Sequence, residues 1–155
     1  MTTPPRILTS QEHTKTVASQ IAPLLGPGDC ILLEGPIGAG KSHFARSLIL
    51  ALLPVPEDVP SPTFTLVQTY DAGETEIWHA DLYRLTNPDE IFELGLEEAL
   101  DTAICLIEWP DRMGSEAPEN ALTLTFDPLD DPDARLLTAT ATDPKWDQVI
   151  RVIRD

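Results

Sequence analysis

Basic residues are scarce in this chain. Ten Lys and Arg stand against 26 Asp and Glu, a formal net charge of −16. A protein that grips nucleic acid over a broad surface needs a Lys or Arg at each phosphate, so that class is excluded, although a small basic spot is not. The lysines are Lys15, Lys41 and Lys145. Cysteine is scarcer still. Cys30 and Cys105 each lie in an apolar run, lack metal-site spacing, and read as buried reduced thiols rather than a disulfide. No apolar run nears the length of a bilayer span. Met1-Thr2-Thr3-Pro4-Pro5 lacks the apolar stretch of a signal peptide, so the expected location is the cytoplasm. No Asn is followed by Lys, which removes the guanine-reading Asn-Lys-x-Asp motif of a small GTPase.

What is present is a globular composition. Hydrophobic residues make up 42% of 155, enough for a core, and a single domain over residues 1–155 is expected. The 15 prolines cluster at 54–62 and 128–132 and mark loops.

The stretch that organises the chain is Gly35-Pro36-Ile37-Gly38-Ala39-Gly40-Lys41-Ser42, which fits G-x-x-x-x-G-K-[ST] at every fixed position. Cys30-Ile31-Leu32-Leu33 before it reads as a buried parallel strand. From Ser42 to Leu53 the spacing is helical, with Phe44, Leu48 and Leu52 on one stripe and Ala45 and Ile49 beside it. The motif therefore has the strand-loop-helix context it needs. Glycines let the backbone turn its N–H groups towards an anion, and the helix start adds a partial positive charge. Lys41 can reach the β- and γ-phosphates, and the Ser42 hydroxyl can join a magnesium shell.

The remaining pattern alternates helices and strands. Residues 6–9 suggest a short strand, and Ser10 caps a helix over 11–25 that Pro23 shortens. After the proline-stiff loop 54–62, residues 63–70 and 76–80 pair as a hairpin, closed by 81–85. Asn87 is placed to cap a helix that stops at Gly95, followed by a short second one. Residues 102–107 form a second fully apolar strand, 111–119 a polar loop, and 121–126 with 136–142 an antiparallel hairpin. Asp143-Pro144 caps a last helix with Trp146, Val149, Ile150 and Ile153 inward. The expected architecture is an α/β P-loop NTPase fold with a mixed, mainly parallel-core sheet flanked by helices.

Phosphoryl chemistry needs a carboxylate-held metal and a group that aims the attacking water. Asp81 and Glu108 each follow an apolar strand, where the carboxyl ends of an α/β sheet meet their ligands. Spacing leaves both open, against the reading of a solvated loop carboxylate. Thr63, after the proline loop, is a candidate sensor of the γ-phosphate or metal, or a hydroxyl satisfied at a strand start. Trp109 beside Glu108 could cover the nucleotide or belong to the core. His79 and Asp81 form a weak metal pair, and Arg84 a candidate charge stabiliser.

Together these blocks carry a resemblance. Gly35 to Ser42, Ser61-Pro62-Thr63-Phe64 with Tyr70, His79-Ala80-Asp81-Leu82-Tyr83-Arg84-Leu85, Glu93-Leu94-Gly95-Leu96 and Ile107-Glu108-Trp109-Pro110 stand in the order of the TsaE (YjeE) family. That is the bacterial ATPase needed for threonylcarbamoyladenosine modification of tRNA. The resemblance spans about residues 8–110. It implies ATP at Gly35, Pro36, Ile37, Gly38, Ala39, Gly40, Lys41, Ser42 and the adjoining His43. Magnesium falls to Ser42 with an acid, Glu108 first and Asp81 second. Asp81, Thr63, Glu108 and Lys41 form the catalytic set, Trp109 lies against the nucleotide, and the segment of Thr9, Ser10 and Gln11 passes the adenine. The implied partners are TsaD and TsaB, with tRNA met only through that complex, and hydrolysis is expected to be slow until a partner completes the site. Ser42 stands where Thr is commoner, and Pro36-Ile37 where Asp-Leu is frequent. Two other readings compete: a small-molecule or nucleotide kinase, for whose lid Arg112 alone is available, and an interaction module that binds ATP with little turnover.

Overall fold

Successive side chains along each strand point to opposite faces of one sheet, and helices bury both faces of its central strands. The computed structural model describes residues 1–62 and 65–155; Thr63 and Phe64 lie outside the described residues. The strands are β1 (Arg6–Leu8), β2 (Cys30–Glu34), β3 (Val67–Asp71), β4 (Glu76–Asp81), β5 (Ile104–Glu108), β6 (Leu122–Pro128) and β7 (Arg135–Thr140). Their order across the sheet is β1-β7-β6-β2-β5-β4-β3. The run β6-β2-β5-β4 is parallel, and β3, β7 and β1 pair antiparallel at the margins. This is the mixed, mainly parallel α/β sheet that the sequence predicts.

Among the described residues the α-helices that cover it are α1 (Gln11–Ile21), α2 (Lys41–Leu52), α3 (Glu90–Leu94), α4 (Leu96–Thr102) and α5 (Asp147–Arg154). On one face Ile31, Leu33, Ile77, Leu106, Leu122 and Phe126 pack with Val17, Ile21, Phe44, Leu48, Ile150 and Ile153 of α1, α2 and α5. On the other, Cys30, Leu32, Ala80, Cys105 and Ile107 pack with Ile91, Leu96 and Ala99 of α3 and α4. β2 is apolar and buried over its first four residues, Cys30 to Leu33, because both faces are covered. Among the described residues no helix is long and apolar enough to cross a membrane.

Several boundaries differ from expectation, each for a local reason. Ser10 caps α1 as expected, accepting from His13 N, but Pro23 turns the last residues into a 3-10 turn over Ala22–Leu24. β3 begins only at Val67, because Leu66 takes φ 68° and its N–H returns to the Pro62 carbonyl. Asn87 closes a turn on Asp89 N rather than capping, and α3 starts at Glu90. The segment expected as a polar loop at 111–119 is instead a 3-10 helix over Pro110–Glu116, kinked at Gly114. Pro110 presets its first φ, and Met113, fully buried against the second face, fixes it there.

Candidate functional site

The sheet changes winding direction at β2, which has β5 on one side and β6 on the other, and the loop leaving β2 opens at the strands' carboxyl ends. That is where an open α/β sheet receives ligands. The loop, residues 35–40, takes positive φ at each of its glycines, Gly35, Gly38 and Gly40. Gly35 takes φ 143°, and a Cβ there would stand 2.4 Å from the Phe126 carbonyl oxygen. Gly40 takes φ 105° and leads into α2, whose N-terminus carries no side-chain cap. The first-turn amides of α2 are thereby left to face the loop.

Lys41, only 4% exposed, folds back over this loop. Its Nζ donates to the Gly35 carbonyl at 2.6 Å and lies 3.4 Å from the centroid of the Trp109 ring. Burial pushes the Lys41 pKa down, opposed by the negative charges of Glu108, Asp81 and Asp111. Trp109 holds a left-handed backbone, φ 59°, at the exit of β5, and its ring also packs on Tyr83 at 4.9 Å.

Ser42 Oγ donates to Glu108 Oε1 at 2.9 Å, and Glu108 Oε2 meets His79 Nε2 at 2.7 Å. Asp81 and Glu108 are the last residues of β4 and β5 and are direct partners in the parallel register. Both are buried, and Asp81 Oδ1 accepts from Tyr83 N at 3.0 Å. Lys41, Ser42, Asp81, Glu108 and Trp109 line one cavity of about 220 Å3, together with Ile37, Gly38, Tyr83 and Arg84.

A second cavity, about 240 Å3, is lined by Gly40, His43 and Arg135 and shares Gly38, Lys41 and Ser42 with the first. His43 Nε2 donates to the Gln11 carbonyl at 3.1 Å, so the start of α1 closes this side. Pro36 and Ala39 shape the turn between the cavities, with Ala39 N bonded to the Pro36 carbonyl, while Ile37 is 74% exposed at the tip. Thus all expected site residues but one sit around the loop: Asp81, Glu108 and Trp109 on one flank, Gln11 and His43 on the other, with Lys41 and Ser42 between them. The exception, Thr63, lies outside the described residues.

Arg135 was not anticipated. It begins β7, and its side chain reaches the loop so closely that a Cβ on Gly40 would stand 2.8 Å from Arg135 Nε. No motif marks it; the only signal was an arginine closing an acidic run.

The donor set of Ser42, Glu108 and Asp81 offers hard oxygens, as magnesium requires. Among the described residues no three His, Cys, Asp or Glu side chains form a metal cluster. That suits an ion held by one or two carboxylates and by substrate phosphates, not a closed protein cage.

Residues 8–136 match the family model described as threonylcarbamoyl adenosine biosynthesis protein TsaE. The chain is 42% identical over 134 residues to the tRNA threonylcarbamoyladenosine biosynthesis protein TsaE of Rickettsia bellii, covering 86% of this chain and 92% of the relative. It is 48% identical over 104 residues to the protein of that name from Rickettsia conorii, covering 67% of this chain and 59% of the relative, less than two thirds of that relative's length. The crystal structure of Bacillus subtilis YdiB superposes with a TM-score of 0.77 at 27% identity, covering 99% of this chain and 94% of that one.

Proposed function

The chain belongs to the TsaE family, and from that premise we propose that it binds and hydrolyses ATP with magnesium in the biosynthesis of threonylcarbamoyladenosine in tRNA. The observation that carries this reading is the convergence of Lys41, Ser42, Asp81 and Glu108 on one cavity beside the glycine loop. In it the loop and α2 amides cradle the β-phosphate, and Lys41 leaves the Gly35 carbonyl to span the β- and γ-phosphates. Ser42 and Glu108 hold the magnesium ion, with Asp81 beside them to orient the attacking water or complete the ion's shell. Bound magnesium neutralises charge that develops on the phosphate oxygens. Trp109 covers the nucleotide once Lys41 has moved. On the other flank, Arg135, His43 and Gln11 receive the α-phosphate, ribose and base.

Slow turnover by the isolated protein, with a partner completing the site, is part of this proposal. A nucleotide kinase wants several lid arginines. Arg112 lies 5.8 Å from the Tyr83 ring on the 3-10 helix, and it remains the lone candidate there that the sequence suggested. The partners are TsaD and TsaB, with tRNA reached through them, in the cytoplasm, and residues 1–155 act as a single ATPase domain. The net charge of −16 fits a protein that docks on a basic tRNA-binding surface rather than on tRNA.

ATP hydrolysis measured alone and with TsaD and TsaB added tests the reading. Stimulation by the pair is expected; its absence overturns the partner-activated mechanism. Glu108→Ala is expected to remove magnesium-dependent turnover. If it left turnover intact while Asp81→Ala abolished it, the two acids exchange roles.

A further inference from the structure

His79 is 1% exposed, and strand alternation places it on the same face of β4 as Ile77 and Asp81. Its Nε2 approaches Glu108 Oε2 at 2.7 Å. Two lone pairs cannot face each other at that distance, so a proton lies between them; when Glu108 is the carboxylate that a cation ligand must be, the imidazole Nε2–H is the donor. Its other ring nitrogen, Nδ1, is buried with no hydrogen-bond partner among the described residues. Among the described residues Glu108 is therefore the hydrogen-bonding contact of the ring. Burying an imidazole for packing alone would leave two polar nitrogens to satisfy, where an apolar side chain leaves none.

The two oxygens of Glu108 are in different hands. Oε2 is held by His79 from within the sheet, and Oε1 accepts from Ser42 Oγ, at the start of α2. Ser42 lines the cavity together with Lys41, Asp81 and Glu108, and His79 is not part of that lining. If a cation enters, Ser42 can turn its hydroxyl hydrogen away and Oε1 can exchange that hydrogen for the ion, while Oε2 stays where it is. An imidazole can donate from Nε2–H without carrying a positive charge, which a lysine or arginine at this position would bring beside the ion.

We infer that His79 is a positioning residue: its Nε2–H pins Oε2 of Glu108, so that Oε1 is the oxygen presented with Ser42 Oγ to the divalent cation. The inference rests on the reading of Ser42 and Glu108 as cation ligands.

Mn2+ is the probe, its free concentration followed by electron paramagnetic resonance in the presence of saturating ADP. His79→Leu keeps the volume and removes the donor. His79→Gln returns an amide N–H near the position of Nε2, and His79→Asn carries the same amide on a chain too short to reach Oε2. Mn2+ affinity of the ADP complex is expected to fall about tenfold or more in the Leu and Asn variants and to recover in Gln, with metal-free ADP affinity unchanged in all three. Leu or Asn binding Mn2+ like the wild type overturns the inference, as does Gln binding as weakly as Asn, which would assign the effect to packing. The Gln–Asn comparison decides the matter even where the Leu variant does not fold. A different result separates the underlying reading: if Ser42→Ala leaves Mn2+ affinity unchanged, Ser42 is no ligand and both statements fail together.

Discussion

Lys41 Nζ lies 3.4 Å from the centroid of the Trp109 ring while donating to the Gly35 carbonyl. The ammonium group is thus held by an aromatic face and by its own loop, two contacts that a bound phosphate must replace. Trp109 is consequently expected to report nucleotide entry. Its fluorescence should change on adding ADP, and Trp109→Phe should remove the change while ADP still binds. A response that persists in Trp109→Phe assigns the signal to Trp78 or Trp146 and contradicts the arrangement. Lys41→Ala should weaken nucleotide binding by roughly 1.5–3 kcal/mol, the range for a hydrogen bond to a charged group, measured by equilibrium dialysis.

The loop glycines should not be equally replaceable. A Cβ at Gly38 meets nothing within 4 Å, so Gly38→Ala carries only the strain of its φ of 81°, about 1–2 kcal/mol. At Gly35 the Cβ would stand 2.4 Å from a backbone oxygen, that of Phe126, so β6 or the loop must move. Gly35→Ala is therefore expected to lower the denaturant midpoint well below that of Gly38→Ala. Equal midpoints would show that the loop does not rest against β6.

Arg135 lines the flank of the loop occupied by Gly40 and His43, and it does not line the cavity of Asp81 and Glu108. Arg135→Ala is expected to lower affinity for ADP and ATP alike, by about tenfold or more if a charge-assisted bond is lost. A loss confined to ATP would move the guanidinium to the γ-phosphate and reverse the assignment of the two flanks.

Cys30 and Cys105 are register partners on adjacent parallel strands, both buried as free thiols. Burial pushes both pKa values up, that of Cys105 to about 12 from an ordinary 9.0. A thiol that ionises later in the folded state than in the unfolded one stabilises the fold fully below the unfolded value, and that stability is lost as pH rises. Between pH 9.0 and about 12 the folding free energy should accordingly decline, by up to about 1.4 kcal/mol per pH unit for each thiol. The Cys30→Ala/Cys105→Ala protein should show a shallower decline in urea titrations across that window. Identical slopes would mean that neither thiol is protected from ionising.

The glycine loop was legible in the sequence because eight contiguous residues determine it. So were the apolar strands on either side of it, since β2 and β5 are buried on both faces. What was not legible arises from register. Asp81 and Glu108 both read as strand-end acids, but only the pairing of β4 with β5 places them side by side, and only α2 packing brings Ser42 to one of them. His79 looked like half of a weak metal pair, whereas strand alternation turns it inward to Glu108. Arg135 was hidden because its approach to Gly40 depends on the β6–β7 hairpin, a contact between residues 95 positions apart. Met113 is a single apolar residue in a polar stretch, too little periodicity to announce a helix.

Arg6 Nη1 donates to the carbonyls of Val152 and Ile153 at 2.9 Å each, while β1 adds to β7 at the margin of the sheet. During synthesis Arg6 is made 146 and 147 residues before its two partners. The strands that carry the phosphate loop and the two acids can associate before then, but the outer edge of β6 stays bare until β7 is made. An unpaired edge invites foreign strands, so the interval between the two events is the vulnerable one in the life of the nascent chain. Its length is governed by how fast residues 129–140 are made, between the end of β6 and the end of β7.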